Sequence, residues 1–374
     1  MEQADFLTGL NPLQLRLTEV CRALAENERV FINAKDVLAV IATEDWNMDD
    51  ETFEEECEEL NCGVASIEHY DPESVGYAYR VLLKMGLPWR NRYPLLDLKG
   101  MIGDFHDEHP FGPESVEVRR SKYANILFPF HKNPVLPVSL LNGVVLSDDT
   151  EIPSHNLEEL WMGMEHLRQD PQLSLRELME IMPGPDFGPG GVMGGFDAIY
   201  AFYEKGEGPL TLRGQIDTVI DGGRTRIAVR SLPHGVLLNT VLTQIKALHA
   251  TESCPPFILK SDSEGMKLDI IIDMPPTISA DELKAVLYRK TDLERTVHFR
   301  CAFKDCKGWT VEGPLITVLK EAVAQCSSAW KQKNGQALKH VPFIRDIIRF
   351  KGFKNPLNTL TDARRTVILK THAL

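Results

Sequence analysis

Nine residues, PGPDFGPGG at Pro183–Gly191, constrain this chain more than any other stretch, with three prolines and four glycines among them. Proline locks φ and ends a helix, while glycine reaches backbone conformations that other residues cannot. The stretch follows LSLRELMEIM, whose apolar residues recur at helical spacing. Read by itself it is a helix stop and a tight loop, and the elements on either side differ in kind. Upstream, NPLQLRLTEVCRALAEN, NAKDVLAVIAT (with Asn33 as N-cap), PESVGYAYRVLLKMG (between Pro72 and Gly86) and SHNLEELWMGMEHLRQ read as helices. RYPLLDLKGMIGDF reads as a wing or hairpin, and LFPFHKNPVLPVSLLNG as a proline-rich strand region. Downstream, LTLRGQIDTVI, TRIAVRSL and MKLDIIIDM alternate as strands do, around the helical LNTVLTQIKALHA. From Glu312 the pattern is helical again, in GPLITVLKEAVAQCSSAWKQKNGQALKHV.

A chain of 374 residues has room for two or three domains of roughly 100–200 residues each. No stretch approaches a membrane span, and MEQADFLTGL lacks the charged-then-apolar pattern of a signal peptide. Seven scattered cysteines, an odd number, suit a reducing cytoplasm better than a disulfide framework. The net charge of −13 argues against a simple nucleic-acid sponge, and its distribution says more. EDWNMDDETFEEECEE, from Glu44 to Glu59, carries ten acids and no base. From Lys331 onward ten Lys or Arg face two Asp, so the tail is +8 and the remainder −21. An acidic front and a basic end suit a partner with the opposite pattern, self-association, or two solvated faces.

The Pro/Gly stretch resembles the helix-to-strand junction in the tower domain of the type IIA DNA topoisomerase A-subunit family, which comprises the A subunits of DNA gyrase and topoisomerase IV. TEIPSHNLEEL (150–160) resembles that family's N-I-P-P-H-N-L-x-E, and SDSEGMKLDIII its D-E-S-x-x-x-G-M-R-I. LYRKTDLE is similar to L-Y-K-x-T-x-L-Q, GLNPLQLRL to G-L-K-P-V-Q-R-R-I-L, and RYPLLDLKGMIG to R-Y-P-L-V-D-G-Q-G-N-F-G. The six matches are collinear over roughly residues 9–330. The resemblance implies an α+β chain: a winged-helix domain over 1–125, a tower domain over 126–312, and the start of a coiled coil with a basic tail over 313–374. Eight residues precede Gly9 and about sixty follow Gly313, fewer than the family's N-terminal arm, coiled coil, exit gate and β-pinwheel occupy, so a truncated member is expected.

In that family a tyrosine hydroxyl attacks a DNA phosphate, with an adjacent arginine stabilising the charge that builds there. Counted without a gap from Gly103, the family's E-x-R-x-x-K-x-A falls on Glu117, Arg119, Lys122 and Ala124. The nucleophile position is then Ser115 and the arginine position Glu114. A serine alkoxide leaves far less readily than a phenolate, whose acid has a pKa of about 10. Tyr123 lies eight residues further on and reads as a packing residue. The family's Y-H-P-H-G-D falls on Tyr70, Asp71, Pro72, Glu73, Ser74 and Val75, so both histidine positions hold acids, and the quinolone-linked Ser and Asp positions fall on Gly76 and Arg80. The bending wedge falls on Val144, followed by Asp148, Asp149 and Glu151, and Glu207 stands where the family has arginine.

The DNA-binding candidates are therefore Lys99, Arg119, Arg120, Lys122, Val144 and Arg213, and no catalytic residue is assigned. The resemblance implies no ATP site and no acidic metal cluster on this type of chain, hence no cofactor and no metal. His106, Asp107, Glu108 and His109 read as a polar loop, and the paired C-x4-C spacings of Cys57/Cys62 and Cys301/Cys306 fall in different domains. The expected activity is binding without cleavage, either to DNA or to a topoisomerase subunit (an ATPase B-type or an A-type chain), as regulator, decoy or non-cleaving partner. A homodimer is an open possibility and no membrane is involved. The expected location is the cytoplasm, at the nucleoid if DNA is bound. The alternative is a type IIA topoisomerase subunit that still changes DNA topology with a partner ATPase, through Tyr123 or a partner's tyrosine.

Overall fold

A computed structural model of the chain describes residues 12–25, 30–42, 72–87, 89–103, 110–127, 137–147, 150–187, 192–193, 195–221, 224–249, 257–261, 268, 270–274, 279–304 and 310–332. Helices and strands mix throughout, which makes the chain α+β.

The first part holds α1 (Pro12–Leu24), β1 (Ile32–Asn33), α2 (Ala34–Ala42), α3 (Pro72–Gly86), β2 (Leu96–Gly100) and β3 (Val116–Arg120). The three helices pack together over an antiparallel sheet of order β1-β3-β2. Asn33 opens α2 as its sequence position predicts, accepting from the Lys35 amide at 2.9 Å. Helix α3 spans the Pro72-to-Gly86 interval read from the sequence.

Short helices α4 (Lys122–Leu127) and α5 (Val138–Asn142) follow. The second corrects the expected strand region: the described part of 127–143 is helical, with Val138, Ser139, Leu140 and Leu141 all buried. Next come β4 (Val144–Ser147), β5 (Thr150–Ile152), α6 (Leu157–Gln169) and α7 (Leu175–Ile181). Helix α6 is capped by Asn156, which accepts from the amides of Glu158 and Glu159. Helix α7 opens on a full capping box between Ser174 and Glu177.

Past the Pro/Gly stretch lie β6 (Val192–Met193), α8 (Phe196–Lys205), β7 (Glu207–Arg213), β8 (Ile216–Asp221), β9 (Arg224–Val229), α9 (Leu238–His249), β10 (Ile258–Ser261) and β11 (Ile270–Asp273). The chain then builds α10 (Ala280–Lys290), β12 (Glu294–Arg300), β13 (Ala302–Lys304), β14 (Thr310–Glu312) and α11 (Leu315–Gln332). One sheet has five strands in the order β4-β5-β12-β7-β6, with β5 and β12 parallel; a second has four antiparallel strands in the order β10-β11-β9-β8, and β13 pairs with β14 in a two-stranded antiparallel sheet. LTLRGQIDTVI, read as one strand, is two strands in different sheets. The break is at Gly214, whose amide bonds Leu293 O at 2.8 Å and whose backbone lies against Ser231 O too closely for a Cβ.

Two apolar clusters hold the described residues together. One runs from Leu13 in α1 to Ala322 in α11 and includes residues of α3, α6, β7 and β12. The other fills the space between the four-stranded sheet and α9 and α10, and takes in Leu87 and Trp89 from the end of α3.

The resemblance motifs converge in space. Arg92, with 1% of its side chain exposed, donates to Asp186 Oδ2 at 2.7 Å. The same oxygen accepts from Asn156 at 3.2 Å, and Ser154 Oγ donates to Asp186 O at 2.7 Å. Tyr93 and Asn142 exchange two hydrogen bonds, and Tyr93 Oη accepts from the Leu157 amide at 2.8 Å. RYP, IPSHN and PGPDF thus meet at one buried polar junction between the first part of the chain and the five-stranded sheet. This is the structural role of the Pro/Gly stretch: Pro183–Phe187 is buried, and the chain leaves it for edge strand β6.

Candidate nucleic-acid interface

The segment that the sequence reads as a wing or hairpin joins β2 to β3. Their register sets Asp97 opposite Arg119, Leu98 opposite Val118, Lys99 opposite Glu117 and Gly100 opposite Val116. Alternation along β3 turns Val116, Val118 and Arg120 inward and Glu117 and Arg119 outward. Arg119 Nε donates to Asp97 at 2.9 Å and Lys99 Nζ to Glu117 at 3.0 Å. Both cations also lie over the Phe31 ring, Arg119 at 4.4 Å and Lys99 at 5.8 Å. The outward face of this sheet therefore carries its own counter-charges.

Ser115 ends a short 3-10 turn, Pro113–Ser115, immediately before β3. Its amide bonds Gly112 O at 2.9 Å and its carbonyl accepts from Met101 N at 3.1 Å, which joins the two ends of the β2–β3 connection. Glu114 is exposed, and its carbonyl accepts from Asn33 Nδ2 at 3.0 Å. Tyr79 on α3 holds the same loop by donating to Phe111 O at 2.6 Å.

Tyr123 sits on α4, half-buried, with its ring edge-on to Tyr93 at 5.2 Å between centroids. The residues between Ser115 and Tyr123 include the whole of β3, so about 16 Å of strand at ~3.3 Å per residue separates them, more than a helical path would give. Burial pushes the Tyr123 phenol above its ordinary range, and the nearby Arg92 guanidinium only partly offsets this. That guanidinium is itself buried and bound to Asp186. A raised phenol beside a sequestered cation is the opposite of an activated nucleophile.

The remaining candidates do not gather on one face. Arg120, grouped with exposed cations in the sequence reading, is buried, and its Nη2 donates to Ala124 O at 3.0 Å. Strict alternation from Val116 is what turns it inward. Lys122 is exposed at the start of α4, its ammonium 5.5 Å from the Tyr123 ring. Arg213 on β7 is opposite Glu294 on β12 and pairs with it, and it lies 5.2 Å over the Tyr288 ring. Val144 belongs to the same five-stranded sheet, on edge strand β4 opposite Ile152. Glu207 is exposed and 3.5 Å from Arg300.

Sequence reasoning missed the Glu151–His234 pair. Glu151 on β5 and His234 in the loop after β9 approach to 3.2 Å, with Phe187 stacked on the imidazole at 4.7 Å. Burial raises the Glu151 carboxyl, but the His234 hydrogen bond and the charges of His234 and Arg295 pull it further down, to below the usual range. The motif histidine, His155, is fixed in the core: Leu140 O can only accept, so Nδ1 carries the hydrogen and Nε2 accepts from Tyr203 Oη.

Among the described residues no group of three His, Cys, Asp or Glu is placed to hold a metal, and no helix is long and apolar enough to cross a membrane. The acidic run 44–59, Tyr70, Asp71, Asp148, Asp149, His106 to His109, Cys57, Cys62, Cys306 and the basic tail after 332 lie outside the described residues. Cys301 is buried, and burial pushes its thiol up.

A family model for the A subunit of DNA gyrase/topoisomerase IV matches residues 46–342. The chain is 27% identical over 279 residues to the A subunit of DNA topoisomerase 4 from Streptococcus pyogenes serotype M18, covering 68% of this chain and 34% of that protein. It is 28% identical over 250 residues to the DNA gyrase A subunit of Thermotoga maritima, covering 60% and 31%, and 27% identical over 262 residues to that of Chlamydia muridarum, covering 63% and 31%. It spans about a third of the length of these relatives. Since the family match takes in well over half of the chain, the chain belongs to the family of DNA gyrase/topoisomerase IV A subunits.

Proposed function

We propose that this chain is a non-cleaving member of its family that acts by binding a topoisomerase subunit, as regulator, decoy or silent partner, rather than by breaking DNA. In this reading residues 1–125 are a winged-helix domain, 126–312 a tower domain, and 313–374 the start of a coiled coil with a basic tail. Homodimerisation through the winged helix is compatible with it, and the chain needs no cofactor or metal of its own. The expected location remains the cytoplasm, at the nucleoid only where DNA is bound.

What supports the reading is the sequence register, which counts Glu114 and Ser115 onto the family's arginine and nucleophilic tyrosine; both residues lie in the short turn before β3. A carboxylate repels the phosphate, and an aliphatic alkoxide does not leave to reseal a strand. The cross-strand neutralisation of Lys99 and Arg119 favours a protein partner over duplex DNA. Acidic stretches such as 44–59 suit contact with surfaces that ordinarily meet phosphates.

Two experiments test it. Affinity capture from a lysate at physiological salt is expected to recover a topoisomerase A- or B-type subunit, and recovery of none counts against the reading. Denaturant trapping on DNA is expected to yield no covalent adduct from wild type or from Tyr123→Phe. Adducts from wild type that vanish in the variant would establish the cleaving alternative.

A further inference from the structure

Three of the five cations considered for DNA contact, Lys99, Arg119 and Arg213, share one structural circumstance. Arg119 is opposite Asp97, Lys99 opposite Glu117, and Arg213 opposite Glu294, each pair on one rung of an antiparallel ladder and each in ion-pair contact. Arg300 repeats the arrangement with Glu207. On the outward face of β2 and β3 the four charges form a checkerboard, and Phe31 lies beneath both cations. Register determines this, because a slip of one residue would turn every one of these side chains to the other face.

We propose that Asp97, Glu117 and Glu294 are built-in substitutes for phosphate that close Arg119, Lys99 and Arg213 to nucleic acid. The inference rests on the protein-partner reading above and supplies its physical cause. A cation strengthens binding to a polyanion when it neutralises a phosphate and releases a condensed counterion. A cation already matched by a carboxylate 2.9 or 3.0 Å away adds almost nothing to that count, since the phosphate brings its charge against one already present. Exposed pairs of this kind contribute little to folding, so their main consequence is the charge pattern they present to a partner.

The test uses the full chain and a short fluorescent DNA duplex, with anisotropy read across a salt series. Wild type is expected to show no saturable binding near physiological salt. Asp97→Asn with Glu117→Gln keeps the side-chain shapes and removes the carboxylates paired with Arg119 and Lys99. Its log affinity is expected to fall more steeply with log salt by about 1.8, at about 0.9 per phosphate. Between about 200 and about 50 mM salt it therefore gains about tenfold more affinity than wild type. Glu294→Gln, in the other sheet, is expected to add a smaller gain of its own. Asp281→Asn with Glu282→Gln, both exposed at the start of α10, makes the same change in net charge and is expected to gain nothing. The proposal is overturned if neither freed-cation variant binds more tightly, if the α10 control gains as much, or if wild type already binds with a slope of several phosphates. Failure to capture any topoisomerase chain, by contrast, would sink the partner reading and leave this result standing.

Discussion

Arg92 places a fully buried positive charge where three sequence motifs meet, and its guanidinium is held by Asp186 at 2.7 Å. Removing one member of such a pair strands the other charge, which typically costs about 3–5 kcal/mol. Arg92→Ala is therefore expected to lose about that much stability in urea denaturation. The double change Arg92→Met with Asp186→Leu is expected to lose distinctly less than the two single changes summed, because neither charge is left behind. Glu151 contributes to the acid limb of the stability curve. Its carboxyl is held below the value of about 4.3 expected in an unfolded chain. Its contribution is thus present above that pH and is lost as pH falls through the lower folded value. Glu151→Gln is expected to flatten the loss of melting temperature between about pH 5 and pH 3 without reversing it. Tyr93, whose phenol burial pushes up to about 12, is expected to stay protonated through this whole range.

Among the elements, local signals and close approaches divide the work. Helix α7 is short and begins on a complete capping box, so Ser174→Ala is expected to cost about 1 kcal/mol, read from the melting temperature. Helix α8 ends on Gly206 at φ 85°, and the backbone of Gly313 lies directly against it. The Gly206 carbonyl also accepts from Cys301 N at 2.7 Å, which joins the end of α8 to the turn between β12 and β13. Gly206→Ala adds a left-handed penalty of about 1–3 kcal/mol to an overlap with main chain, so a loss at or above the top of that range is expected in denaturant titration.

Across the whole molecule, one apolar cluster takes residues from both ends of the described chain. Leu17 in α1 and Leu319 in α11 are both fully buried in it. Leu17→Ala and Leu319→Ala are each expected to cost about 2–5 kcal/mol and to shift the same unfolding transition. Two separate transitions, each sensitive to one of the changes, would show that the ends fold independently. The charge of the molecule is organised on a similar scale. Strand-borne cations are met by carboxylates on neighbouring strands, so the sheets present alternating rather than basic faces.

The amino-acid sequence alone determined what depends on neighbours a few residues apart. The cap at Asn33, the span of α3 from Pro72 to Gly86 and the helix stop at Pro183 follow from φ restriction and backbone hydrogen bonding within one turn. Arg120, taken from the sequence as a DNA-binding candidate, shares the alternation of Val116 and Val118 and is buried. Tertiary structure decided the rest. The strand pattern runs unbroken through Gly214, and only packing against Leu293 and Ser231 shows that the chain changes sheets there. Arg92 and Asp186 are 94 residues apart, and Glu151 and His234 are 83 apart. Charge pairing across such separations depends on strand order and register, which no local pattern encodes.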